Sequence, residues 1–284
     1  MIPESEWLNC RHPERMFELL ESRGSARKRF LFGLACCRRI ARLWTDPRVN
    51  AALSLIEQFA DGLVEIDELA AFQPTLRSAV QDAFAERYMA EADANFSVHP
   101  ALALAESVEA AVNAVAGLFD TGVCSLAPSA QMDFDWVRGE EPRLHAIAAV
   151  ELEAEAFSLL ASRHVHRQSE VADLWEIRHE LLNRVTQAEE EAQSVLLREI
   201  VGNPFSTTDF QAHWRSADVL AVARGIRSEV AFDRLPFLAD ALIDAGCSDS
   251  SILDHCRGAN SHVRECWVLD LLLVDLDSPP LLQL

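Results

Sequence analysis

Five side chains able to ligate metal or act as nucleophiles, Cys247, His255, Cys256, His262 and Cys266, fall within 20 residues near the C-terminus. His262 and Cys266 are four residues apart, which puts two ligands on one face if the segment is helical. Cys256 falls at the end of the preceding helix, beside the Gly258 turn. Three or four nitrogen and sulfur ligands suit tetrahedral zinc. Cys256, His262 and Cys266 are therefore the metal-ligand candidates, and zinc the candidate cofactor. No C-x2–4-C pair accompanies them, and eight residues separate Cys247 from Cys256. The same residues read equally as buried thiols with histidines at helix ends.

A second set lies near the N-terminus. At helical spacing, Arg27, Lys28, Arg38, Arg39 and Arg42 project into an arc of about 120°, and Phe30, Leu34, Cys37, Ile40, Ala41 and Trp44 fill the opposite arc. Leu31 and Phe32 interleave with the cations. A planar guanidinium fork suits phosphate and carboxylate, so these five cations are candidate binding residues for a phosphate-bearing ligand, RNA or an acidic protein partner. Residues 23–48 sum to +7 and residues 49–142 to −13. Pairing of the arginines with carboxylates of the adjacent 49–142 stretch, across a helix contact, is the competing expectation.

Other chemistry is excluded residue by residue. Lys28 is the only lysine among 25 cations, and it stands between Arg27 and Arg29. A G-x-x-x-x-G-K-[ST] phosphate loop is impossible, and the protein-kinase set has no strand lysine. His164 and His166 are two apart, which turns the rings away from each other on a helix. His179-Glu180 opens like a zincin helix but carries Asn183 where the second histidine belongs. Asp133 and Asp135 could hold a divalent cation, though an acidic solvated loop is the simpler reading. The net charge of −20 opposes non-specific binding to duplex DNA or anionic membranes, and also admits a nucleic-acid mimic. No signal peptide is visible, no apolar run approaches the ~20 residues of a membrane span, and seven cysteines suit a reducing cytoplasm.

The elements that must position these groups read as all-α. Only 10 glycines and 11 prolines punctuate 284 residues, and period 3.6 recurs while sustained alternation does not. Pro13 opens a short helix with Met16, Phe17, Leu19 and Leu20, and Ser25 caps a helix running to Trp44. Asp46-Pro47 caps the next helix, to residue 60, and a short turn follows at Ile66 to Phe72. Pro74 and Pro100 open two more. From Arg143 to Val201 neither glycine nor proline occurs. There Leu174, Ile177, Leu181, Val185, Ala188, Ala192 and Val195 form a stripe that packs within a bundle or makes a coiled-coil seam. Ser216 caps a helix over 217–228, and Asp233 caps one ending at Gly246. Ser248 or Asp249 caps one ending at Gly258, and Ser261 caps one running to Val274. The expected organisation is an N-terminal helical region (1–119), an irregular linker (120–142), a long central helix (143–201) and a C-terminal short-helix subdomain (202–284).

Two stretches resemble a family. GNPF, then Trp214, AFDRLPFLADALIDAGC and ILDHCRGANSHVRECWVLDLLL, with the opening ESEWLNCRHPERMFELL…RKRFLFGLACCRRI, resemble a family of uncharacterised bacterial proteins found in many copies in large GC-rich genomes. The resemblance spans about 85 C-terminal and 60 N-terminal residues and implies no catalytic residue. It implies that the basic helix and the Cys/His-rich segment belong to one architecture. The leading expectation is a non-catalytic cytoplasmic interaction or adaptor protein that binds a protein partner through the arginine face. The alternatives are a zinc-stabilised protein, including a nucleic-acid or nucleotide hydrolase, and an acidic nucleic-acid mimic.

Overall fold

The computed structural model describes residues 3–17, 26–61, 63–93, 103, 105–113, 115–116, 146–154, 168–206, 210–258, 262–263 and 266–277. The protein is an all-α, multi-helix fold, with no strand among the described residues. Its principal helices are α1 (Glu4–Asn9), α2 (Ala26–Arg39), α3 (Pro47–Ala60), α4 (Ile66–Asp93), α5 (Gln168–Val201), α6 (Ala217–Glu229), α7 (Leu235–Asp244), α8 (Ser250–Arg257) and α9 (Trp267–Asp277). Among the described residues, no helix is long and apolar enough to cross a membrane. The predicted linker 120–142, with Asp133 and Asp135, lies outside the described residues, as do His164, His166, Leu19, Leu20 and the caps Ser25, Pro100 and Ser261.

The chain divides into two compact units. The first comprises 1–10, 14–28 and 195–284, so the last turns of α5 fold with the C-terminal helices and with both ends of the N-terminal segment. The second comprises 11–13 and 29–194.

In the first unit, α6 packs on α7 and α9, and α8 packs on α7 and α9. Val219, Ala223 and Ile226 of α6, Leu238 and Leu242 of α7, Ile252 of α8, and Leu269 and Leu273 of α9 make a continuous apolar core. Capping is local chemistry: Ser216 accepts from Val219 N–H, and Asp249 from Ser251 and Ile252 N–H, so each satisfies orphan donors of a helix start. Asp233 caps nothing. It sits in a 3-10 turn (Phe232–Arg234), and α7 starts at Leu235 with proline at its first turn. α9 starts at Trp267, later than a Ser261 cap would put it. The N-terminal segment is tied in by hydrogen bonds to the end of α5: Trp7 Nε1 donates to Gly202 O (3.1 Å), Arg198 Nη1 to Cys10 O (2.8 Å) and Lys28 Nζ to Val201 O (3.2 Å).

In the second unit, Asp46 caps α3 as expected, accepting from Arg48 N–H. Pro74 does not open a helix; it lies inside α4, which runs unbroken through the expected gap. An internal proline deletes one backbone hydrogen bond. The helix tolerates it because Leu69, Leu76, Ala79 and Ala83 keep one buried face on both sides of it.

Two helix faces differ from the expected pattern. Ile177, Leu181 and Val195 of the α5 stripe are 63%, 37% and 39% exposed, whereas Glu189 and Gln193, on another face, are buried. Periodicity weighs only apolar character, and the face that α5 buries carries a carboxylate neutralised by its own chain. In α2, Leu31 and Phe32 lie within the cationic arc yet are buried, as are Phe30, Leu34, Cys36 and Cys37 on other sides. The helix is therefore enclosed nearly all round along its middle, and the cationic arc is not a continuous face.

Candidate metal centre

Four side chains from three segments of the first unit converge: Glu199, His255, His262 and Cys266. Glu199 lies on the last turn of α5, three residues before Gly202. Gly202 has φ +74°, and its N–H closes the turn on Arg198 O at 2.9 Å. A Cβ there would also meet the Trp267 ring at 3.0 Å, so glycine is required twice over. His255 lies on the last turn of α8. His262 sits in the segment between α8 and α9. Cys266 immediately precedes α9, and its carbonyl accepts from Asp270 N–H at 3.0 Å.

One donor atom from each residue lies within 4.8 Å of the other three. His262 Nδ1 is 2.8 Å from Glu199 Oε1, His255 Nε2 is 3.4 Å from the same oxygen, and His255 Nε2 is 3.0 Å from Cys266 Sγ. The corners of a tetrahedral zinc site stand about 3.3–3.6 Å apart, given metal–ligand bonds of about 2.0–2.3 Å. Three of the six separations, 2.8, 3.0 and 3.4 Å, are near that spacing, and all six lie within 4.8 Å. The group is buried: the side chains of Glu199, His255 and His262 are 4%, 10% and 6% exposed, and Cys266 is fully enclosed. Two imidazoles, a thiol and a carboxylate can hold a metal ion, and their nitrogen–sulfur character suits zinc.

The electrostatics agree with a site built around charge. Burial raises the Glu199 carboxyl, but hydrogen bonds from His255 and His262 outweigh it and bring it down to about 2. The hydrogen bond to Glu199 raises His262, burial opposes it, and a hydrogen bond to the Gly258 backbone adds to the rise. Burial, then the Glu199 charge, push the Cys266 thiol well above its ordinary value; backbone N–H groups of Leu269 and Val268 at the start of α9 pull the other way. A thiol held protonated and enclosed is a poor nucleophile. Among the described residues, these groups do not form a Cys–His–carboxylate relay: both Glu199 and Cys266 face the same nitrogen of His255, and its Nδ1 faces the indole of Trp267 (3.1 Å).

The sequence-level candidates fare differently. His262 and Cys266 do meet, but not across a helix turn; residues 262–263 are non-helical and Cys266 lies before α9. Cys256 is not part of the group. It turns from the end of α8 into the apolar core, and burial pushes its thiol to about 12. Glu199 was not legible as a ligand, being one of 45 acidic residues and far from the cluster in sequence. His255 lay in the cluster but had no periodic relation to His262.

The cationic residues are engaged by their own chain. Arg38 Nε donates to Glu57 (2.6 Å), Arg39 donates through Nε and Nη2 to both oxygens of Glu189 (2.9–3.2 Å), and Arg42 pairs with Glu153. Lys28 donates to Val201 O. The Arg27 side chain lies outside the described residues. Glu57 belongs to the acidic stretch after the basic helix, but Glu153 and Glu189 come from later helices. No protein-family model, no curated protein and no solved structure matches the chain.

Proposed function

We propose that the protein is a zinc-stabilised, non-catalytic helical protein, in which Glu199, His255, His262 and Cys266 form a structural metal centre tying the end of α5 to α8 and α9. The convergence of four donor atoms within 4.8 Å carries this reading. A dication balances one carboxylate and one thiolate with two neutral imidazoles. Four protein ligands in an enclosed set suit a structural rather than a hydrolytic site, because a hydrolytic zinc keeps one position for water. The ion pairs of Arg38, Arg39 and Arg42 support an internal role for the basic helix over that of a contact surface.

Metal analysis of the purified protein tests the proposal. About one zinc per chain is expected, with loss on substitution of His262 by alanine. A content under about 0.1 per chain after zinc supplementation would end it.

A further inference from the structure

The two histidines of the centre are backed by opposite chemistry. The Gly258 backbone favours the protonated form of His262, as a carbonyl acceptor does. His255 is backed by Trp267, whose indole Nε1–H points at His255 Nδ1 across 3.1 Å. An indole nitrogen only donates. Nδ1 must therefore accept, and the neutral ring carries its proton on Nε2. That N–H points at the acceptors Cys266 Sγ (3.0 Å) and Glu199 Oε1 (3.4 Å).

A metal ion cannot use a nitrogen that bears a proton. Coordination through His255 Nε2 requires the proton to move, by way of solvent, to Nδ1. There it would meet the indole N–H head on, two donors 3.1 Å apart. Trp267 is held in place by its neighbours: its ring centroid is 5.2 Å from that of His255, and its ring also lies close against Gly202.

We propose that Trp267 is a positioning residue that opposes metal uptake, holding His255 in the tautomer that cannot coordinate, so that its indole hydrogen bond breaks when the centre fills. This rests on the metal-centre reading above. In the filled state Cys266 has released its thiol proton to solvent, His262 is neutral with its proton away from the metal, and His255 carries its proton on Nδ1. The apo centre is a hydrogen-bonded cluster and the filled one a coordinated cluster, and Trp267 sets the balance between them.

The test compares the full-length wild type with Trp267→Phe, and with a variant carrying benzothienylalanine at 267, which keeps the bicyclic shape but lacks the N–H. Zinc affinity is measured by competition with a chromophoric chelator, and the His255 tautomer of the apo protein from imidazole nitrogen shifts in NMR. Wild-type apo protein should show the proton on Nε2, and both variants should bind zinc about three- to tenfold more tightly, the equivalent of one net hydrogen bond. A purely structural role for Trp267 predicts the opposite sign, weaker binding in Trp267→Phe with benzothienylalanine unchanged. Zinc bound by the wild type with no gain in the benzothienyl variant, or a proton found on Nδ1 of the apo ring, would overturn the inference and leave the metal centre standing. Zinc taken up by none of the three would overturn both.

Discussion

At the residue scale, the Glu199, His255, His262 and Cys266 cluster is a set of proton acceptors and donors for which, on the proposed reading, a metal would compete with protons. Its pH dependence follows from two groups of opposite sign. Glu199 is lowered from 4.5 to about 2, so its contribution to stability is present above pH 4.5 and is lost as pH falls toward 2. His262 is raised from 6.5, so its contribution is present below pH 6.5 and is lost as pH rises through the raised value. Metal-free protein is therefore expected to be most resistant to urea between about pH 4.5 and 6.5. On the proposed metal-centre reading, zinc would reverse the upper limb, because it would need His262 neutral and Cys266 ionised. Denaturation curves with chelator and with zinc should diverge increasingly above pH 6.5; parallel curves would contradict the assignment of His262 as a ligand.

At the element scale, the caps and the centre show what local chemistry can and cannot disclose. Asp46, Ser216 and Asp249 were legible as caps because a side-chain oxygen reaches a backbone N–H two or three residues on, a relation contained in the sequence itself. The buried face of α5 was not legible, because it depends on a residue elsewhere in the chain. Arg39 grips Glu189 with two nitrogens, and Gln193 donates to the same carboxylate at 3.2 Å, so a polar face becomes an inner one. Arg39→Ala would leave Glu189 enclosed without its cation. Chemical denaturation should show a loss of about 2–4 kcal/mol. Adding Glu189→Gln should recover part of that loss, since the uncompensated charge and not the missing side chain carries the cost.

At the scale of the whole molecule, the proposed metal centre draws on parts of the chain that are remote in sequence but belong to one compact unit. The end of α5 supplies Glu199, and the same few residues hold the N-terminal segment through Trp7, Lys28 and Arg198. If the proposed centre holds zinc, its removal should therefore loosen more than residues 262–266. Hydrogen exchange after chelation is expected to rise in 195–202, in α8 and at the start of α9, and in the Trp7 indole N–H. A ligand present at a thousand times its Kd adds about 4 kcal/mol to stability, so thermal melting should fall with chelation by an amount that depends on free zinc. Exchange confined to residues 262–266 would mean that the centre ties down its loop alone.

What the sequence determined by itself was set by local rules. The helical class came from period and punctuation, and the caps from short-range hydrogen bonding; the helical spacing of His262 and Cys266 did not hold. What needed the tertiary structure was every decision between distant partners. Packing brought Glu199 to the histidines, turned Cys256 into the core and paired Arg38, Arg39 and Arg42 with carboxylates of the same chain. Whether a polar group is a ligand, a core element or a surface charge depends on its nearest neighbours in space. For residues separated by tens of positions, those neighbours are chosen by how the helices pack, which no spacing in the sequence encodes.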